Sequence, residues 1–171
     1  MATQYQNLSD YKSDTLPDVA VLQDQRYAVV VADWNPNITL ALLEGALTTL
    51  IHSGVLKSNI KVVHVPGTFE LTYAAARLVR ENQNVLDEHK YNAIIVLGCV
   101  IQGDTPHFTY VCEGVTQGIA LLNTLENACP VIFGVITTNT MQQALDRTGG
   151  IHGNKGVEAA ITAIKMANIV W

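Results

Sequence analysis

Four apolar runs of strand length, each followed by sequence with helical spacing, constrain this chain more tightly than any other feature. They are Tyr27–Asp33 (YAVVVAD), Ile60–Val65 (IKVVHV), Asn92–Leu97 (NAIIVL) and Pro130–Ile136 (PVIFGVI). A run that is apolar at nearly every position can bury both of its faces, as strands of a covered parallel sheet do. Alternation of such runs with amphipathic helices implies parallel strands joined by right-handed crossovers. The predicted architecture is one α/β domain: a three-layer α/β/α sandwich on a four-stranded parallel sheet, flavodoxin-like in winding.

Helical spacing predicts helices over 38–53, 68–82, 106–122, 139–147 and 155–168. Asn37 is the candidate cap of the first, with Leu40, Leu43, Leu47 and Leu50 as its apolar stripe. Thr105 suits the cap of the third and Pro106 its first helical position. Phe108, Val111, Cys112, Val115, Ile119 and Leu122 form that helix's inward stripe. Gly149-Gly150 closes the short helix that ends at Arg147, and Val157, Ile161 and Ile164 point inward on the last. Residues 1–22 are polar and read as an N-terminal arm before a domain over 23–171. Residues 81–91 read as a solvated connection.

Composition narrows the function classes. Charged residues make up only 15 % of the 171, against 49 % apolar, which suits a surface partly hidden against copies of the same chain. A net charge of −5 with no basic run argues against nucleic-acid binding. No apolar run approaches the roughly 20 residues of a membrane helix. The first ten residues lack the basic and apolar regions of a signal peptide, so a cytoplasmic location is expected. Cys99, Cys112 and Cys129 have no metal-type spacing and are expected to be reduced and mostly buried. No GxxxxGK[ST] or GxGxxG follows any strand, which sets aside the ordinary nucleotide folds.

Most of the remaining informative residues fall just past strand ends, where open α/β sheets bind ligands. Trp34 after the first run suits either rim packing or a stacking plate for a flat ring, and Asn35 beside it offers a donor and an acceptor. Glu70, in the first turn of a helix, suits either a dipole-favoured carboxylate or an acceptor for polyol hydroxyls. The amides of Thr68 and Phe69 add donors. His107 follows a Gly-Asp-Thr-Pro loop at a helix start, where the positive helix end suits a neutral, proton-accepting ring. Gly103, Asp104 and Thr105 make a nest-like anion site at that helix end. Arg147 suits a helix cap or a bidentate reader of phosphate. His52, His64, His89 and His152 read as surface or packing residues. The set fits an aromatic heterocycle with a polyol tail and a phosphorylated partner.

At these residues the chain resembles the lumazine synthases. The segments that carry the resemblance are Trp34-Asn35, PGTFE at 66–70, the GxVIxGxTxHF pattern at 98–108, PVIFGxxT at 130–137, and QAxxRxG with GNKG at 143–156. The resemblance implies condensation of 5-amino-6-(D-ribitylamino)uracil with 3,4-dihydroxy-2-butanone 4-phosphate, without metal or organic cofactor. It implies that Trp34 stacks on the pyrimidinedione and that Asn35, Thr68 and Glu70 hold the ribityl chain and ring. Backbone near Val100 and Ile101 would read the ring edge, Gly103 to Thr105 and Arg147 would hold phosphate, and His107 would transfer protons. Phe133 and Lys155 would come from the adjacent subunit. Gln102, Asp104 and Pro106 depart from the residues many relatives carry. The resemblance also implies a homo-oligomer: a pentamer, with twelve pentamers in an icosahedral shell because no insertion lengthens the 147–156 link. Riboflavin synthase is a candidate partner. The rival expectation is a non-catalytic flavin-binding or shell-forming protein on the same fold.

Overall fold

In the computed structural model, which describes residues 16–170, four strands form one parallel sheet in the order β2-β1-β3-β4. They are β1 (Tyr27–Ala32), β2 (Ile60–Val65), β3 (Ala93–Ile101) and β4 (Val131–Thr138). This is the flavodoxin-like winding expected, with its topological switch point between β1 and β3. Register is regular: Tyr27 lies beside Ile60 and Ala93, and Ile94 beside Val131.

Alternate residues of β1 feed two separate cores. Tyr27, Val29 and Val31 join one core with α2 (Pro36–Ser53) and α6 (Lys155–Ala167). Ala28, Val30 and Ala32 join the other with α3 (Leu71–Gln83) and α4 (His107–Leu122). All six β1 residues are fully buried, which is why the run carries no polar alternation. A short α1 (Val19–Gln23) overlaps the end of the segment read as an arm, and its Leu22 is buried in the first core. Residues 1–15 of the predicted arm and Trp171 lie outside the described residues.

Several boundaries differ from the sequence expectation. β3 runs to Ile101 because β4 runs equally far, pairing Ile101 with Thr138. The cap of α2 is Asn35, not Asn37. Its buried face is Ile38, Leu42, Ala46 and Leu50, whereas Leu40 is half exposed. That face must meet both the sheet and α6, which turns the stripe. α3 starts at Leu71, leaving Thr68–Glu70 as a turn, and α4 starts at His107 with Pro106 at its cap. On α4 only Val115, Ile119 and Leu122 of the expected stripe are buried. After α5 (Met141–Leu145), a small antiparallel pair, β5 (Thr148–Gly150) and β6 (Gly153–Asn154), replaces the expected helix stop. No helix among the described residues is long and apolar enough to cross a membrane.

Candidate active site

Hydrogen bonds carry the pairing of β1 and β2 beyond the strand ends. Asp33 N donates to the Val65 carbonyl at 2.8 Å and Trp34 N to the Pro66 carbonyl at 3.1 Å. This sets Trp34 beside the 67–70 turn. Asn35 then adopts left-handed backbone angles, φ 59° and ψ 58°, a conformation Asn tolerates better than most residues. Its carbonyl accepts from Ile38 N and Thr39 N, turning the chain into α2. Its side-chain amide donates to the Cys99 carbonyl. Thr68, buried, donates its hydroxyl to the same carbonyl. Gly98 makes room, since a Cβ there would lie 2.8 Å from both Thr68 Oγ1 and Leu71 Cδ1.

These segments enclose a cavity of about 690 Å³ at the carboxyl ends of β1 and β3. Its volume falls in the range typical of ligand sites. Trp34, Asn35 and the 67–70 turn form one side, and Cys99, Val100 and Ile101 another. Gly103, Thr105 and the first turns of α4, with His107, Phe108, Tyr110 and Val111, complete it. Trp34 is 71 % exposed and Tyr110 67 %, so both aromatic faces are open to a ligand in the single chain. Thr68 has given its only O–H to Cys99, and Glu70 is a carboxylate. With the Asn35 Oδ1 they present acceptors, which suits ligand O–H and N–H groups.

The structure thus brings together Trp34, Asn35, Thr68, Phe69, Glu70, Val100, Ile101, Gly103, Thr105 and His107. Asp104 is exposed and does not line the cavity. Tyr110, absent from the sequence reading, was legible as the residue three after His107 on a helix. His64, read as a surface or packing residue, is half exposed and its Nδ1 lies 2.7 Å from Asp33 Oδ1.

Three expected residues lie elsewhere. Phe133 and Lys155 line a second groove of about 590 Å³ beside the edge strand β4, with Cys129, Thr162 and Met166. Arg147 lines neither cavity. Its guanidinium donates to the His152 carbonyl and pairs with Glu158, 2.8 Å to Oε1 and 3.0 Å to Oε2. Lys155 Nζ reaches the same carboxylate at 3.3 Å. Glu158 is 3 % exposed, so one buried carboxylate joins two cations and leaves a net positive charge. The sequence reading missed Glu158, whose only signal is its i, i+3 spacing from Lys155.

The start of α6 is fixed by Asn154, which accepts from Gly156 N and Val157 N and donates to the Ala41 carbonyl. Burial pushes the Cys99 and Cys129 thiols up to about 11, and burial with Glu113 nearby raises Cys112. None of the three is an activated nucleophile.

The family profile described as 6,7-dimethyl-8-ribityllumazine synthase matches residues 24–170. A protein of that name from Porphyromonas gingivalis is 54 % identical over 169 residues, covering 99 % of this chain and 98 % of its own. One from Parabacteroides distasonis is 55 % identical over 168 residues, 98 % of each chain. One from Bacteroides fragilis is 56 % identical over 146 residues, 85 % of this chain and 96 % of its own. With the expected sheet winding and Trp34, Thr68–Glu70 and His107 gathered at its switch point, the chain belongs to the 6,7-dimethyl-8-ribityllumazine synthase family.

Proposed function

We propose that this protein condenses 5-amino-6-(D-ribitylamino)uracil with 3,4-dihydroxy-2-butanone 4-phosphate, releasing phosphate and water, in riboflavin biosynthesis. The observation that carries the reading is the sharing of one cavity by Trp34, Glu70 and His107, with the Gly103–Thr105 turn at the start of α4. The substrate amine attacks the ketone, and phosphate leaves by elimination, so no enzyme nucleophile is required. His107 moves protons during these steps. Trp34 and Phe69 contact the ring, while Asn35, Thr68 and Glu70 take the ribityl hydroxyls and ring N–H groups. Val100 and Ile101 read the ring edge. Gly103, Asp104 and Thr105 bind phosphate through backbone amides; the Asp104 side chain lies outside the cavity lining.

The remaining site residues come from a neighbour. Phe133, Lys155 and Arg147 lie away from the cavity within one chain, which supports their completing the site in trans. A closed ring of five supplies each cavity with one such edge. The short 147–156 link lets twelve rings meet as an icosahedral shell, which riboflavin synthase can join as a partner in the cytoplasm.

Incubation with both substrates, following lumazine absorbance and phosphate release, tests the reaction; no turnover in a folded assembly rejects it. Light scattering tests the assembly. Isolated pentamers reject the shell, and an active monomer rejects the shared site.

A further inference from the structure

Glycine inside a helix is costly unless a close approach requires it. Helix α4 carries two, Gly114 and Gly118, one turn apart and both facing the start of α3. They accommodate different neighbours. A Cβ on Gly118 would meet Thr72, which does not line the cavity. A Cβ on Gly114 would lie 2.7 Å from Cε2 of Phe69, with Cδ2 at 3.4 Å and Cζ at 3.6 Å. The ring of Phe69 therefore rests on the bare backbone of α4. Phe69 lines the cavity and is 56 % exposed, so α4 is a firm support on a ring otherwise open to solvent.

We propose that Gly114 is a positioning residue for the ring site: its missing side chain seats Phe69 against α4 and so sets where that ring stands in the cavity wall. The proposal rests on the reading above, in which Phe69 contacts the heterocycle. Gly114 lies seven residues after His107, two turns along the same helical face. The seat and the proton-transfer residue thus belong to one rigid element. A methyl at 114 needs at least ordinary contact, so the ring must retreat from 2.7 Å to 3.4 Å or beyond. The obstacle is the far edge of a flexible side chain, not backbone. The ring yields while the helices stay packed.

Gly114→Ala, Phe69→Ala and the double variant, each as the assembled full-length protein, test this. The readouts are titrations with 6,7-dimethyl-8-ribityllumazine and with inorganic phosphate, unfolding midpoints, and steady-state kinetics. Gly114→Ala should keep or raise the unfolding midpoint, because alanine favours the helix. Its lumazine affinity should fall about two- to tenfold, the size of one aromatic contact. KM for the pyrimidine should rise in step, with kcat and phosphate affinity little changed. In the Phe69→Ala background the same substitution should have no further effect. Wild-type lumazine affinity in Gly114→Ala overturns the proposal, as does an equal loss with and without Phe69. Wild-type lumazine affinity in Phe69→Ala overturns the assignment of Phe69 to the ring and the seat with it. Loss in Phe69→Ala but none in Gly114→Ala leaves the site reading intact and rejects only the seat.

Discussion

The side-chain amide of Asn35 and the hydroxyl of Thr68 donate to a single atom, the carbonyl oxygen of Cys99, each over 3.2 Å. One backbone acceptor thereby ties together the ends of β1, β2 and β3, the three segments that frame the cavity. Thr68→Val keeps the shape but removes both the donor to Cys99 and the acceptor toward ligand. Lumazine affinity should drop by about 0.5–1.5 kcal/mol, with Thr68→Ser close to wild type. Calorimetric titration separates the two; indistinguishable affinities for Val and Ser variants would remove the hydroxyl from the site.

His107 stands at the first position of α4 with its side chain exposed to the cavity. As a proton carrier it should be worth about 10²–10⁴-fold in turnover. His107→Ala should therefore slow lumazine formation by that order without abolishing it, and should leave the unfolding midpoint nearly unchanged. A folded variant with wild-type turnover is the outcome against this role.

The buried Glu158 carboxylate holds Arg147 and Lys155 together. Breaking a buried ion pair by neutralising one partner costs about 3–5 kcal/mol. Arg147 and Lys155 retain 16 % and 26 % side-chain exposure, so Glu158→Gln should fall near the low end of that range. Denaturant unfolding measures it. Inorganic phosphate should also bind more weakly, because two unanchored cations lose their shared geometry. Tighter phosphate binding would mean that Glu158 competes with the anion and does not organise its site.

Cys99 is 1 % exposed, and burial raises its thiol from 9.0 to about 11. The unfolded chain releases this proton first, so the folded state is favoured below about pH 9 and loses that advantage as pH rises toward 11. The loss should reach about 2–3 kcal/mol for this one group. Thermal midpoints between about pH 8 and pH 11 test it: Cys99→Ala should be less stable throughout yet show a shallower alkaline decline. Parallel slopes for both proteins would assign the decline to other groups.

Legibility in the sequence followed the range of the interactions. β1 and β3 announce themselves because burial on both faces leaves an unbroken apolar run, as in the fully buried YAVVVA of β1, whereas the edge strand β2 keeps Lys61 and His64 within a largely apolar run. Trp34, Thr68–Glu70, Val100 and His107 were legible as a group because sheet topology alone delivers strand ends to one edge. The β5–β6 pair was not. Its residues Thr148–Asn154 contain no apolar alternation, and Gly149, at φ 114°, sits at the irregularity in β5 yet reads equally well, with Gly150, as a helix stop. Arg147 reads as a helix cap or a phosphate reader, and within one chain its guanidinium pairs with Glu158. That pairing crosses from the link after α5 to the first turn of α6 and obeys no sequence period. Leu40 misled for a related reason: α2 packs on α6 as well as the sheet, and the second contact decides which leucines are covered.

The seam between α2 and α6 bears on how firmly two parts of the chain are held together. A Cβ on Gly156 would collide with the Leu42 backbone, and one on Gly45 would lie 2.6 Å from Asn154 Oδ1. The two helices therefore have no clearance in which to slide. α2 begins immediately behind the Trp34-Asn35 lip of a subunit's own cavity, and α6 begins at Lys155, which the proposed ring lends to the next subunit. The start of α2 and the start of α6 are thereby held at one fixed spacing, and the smallest residues in the chain set it.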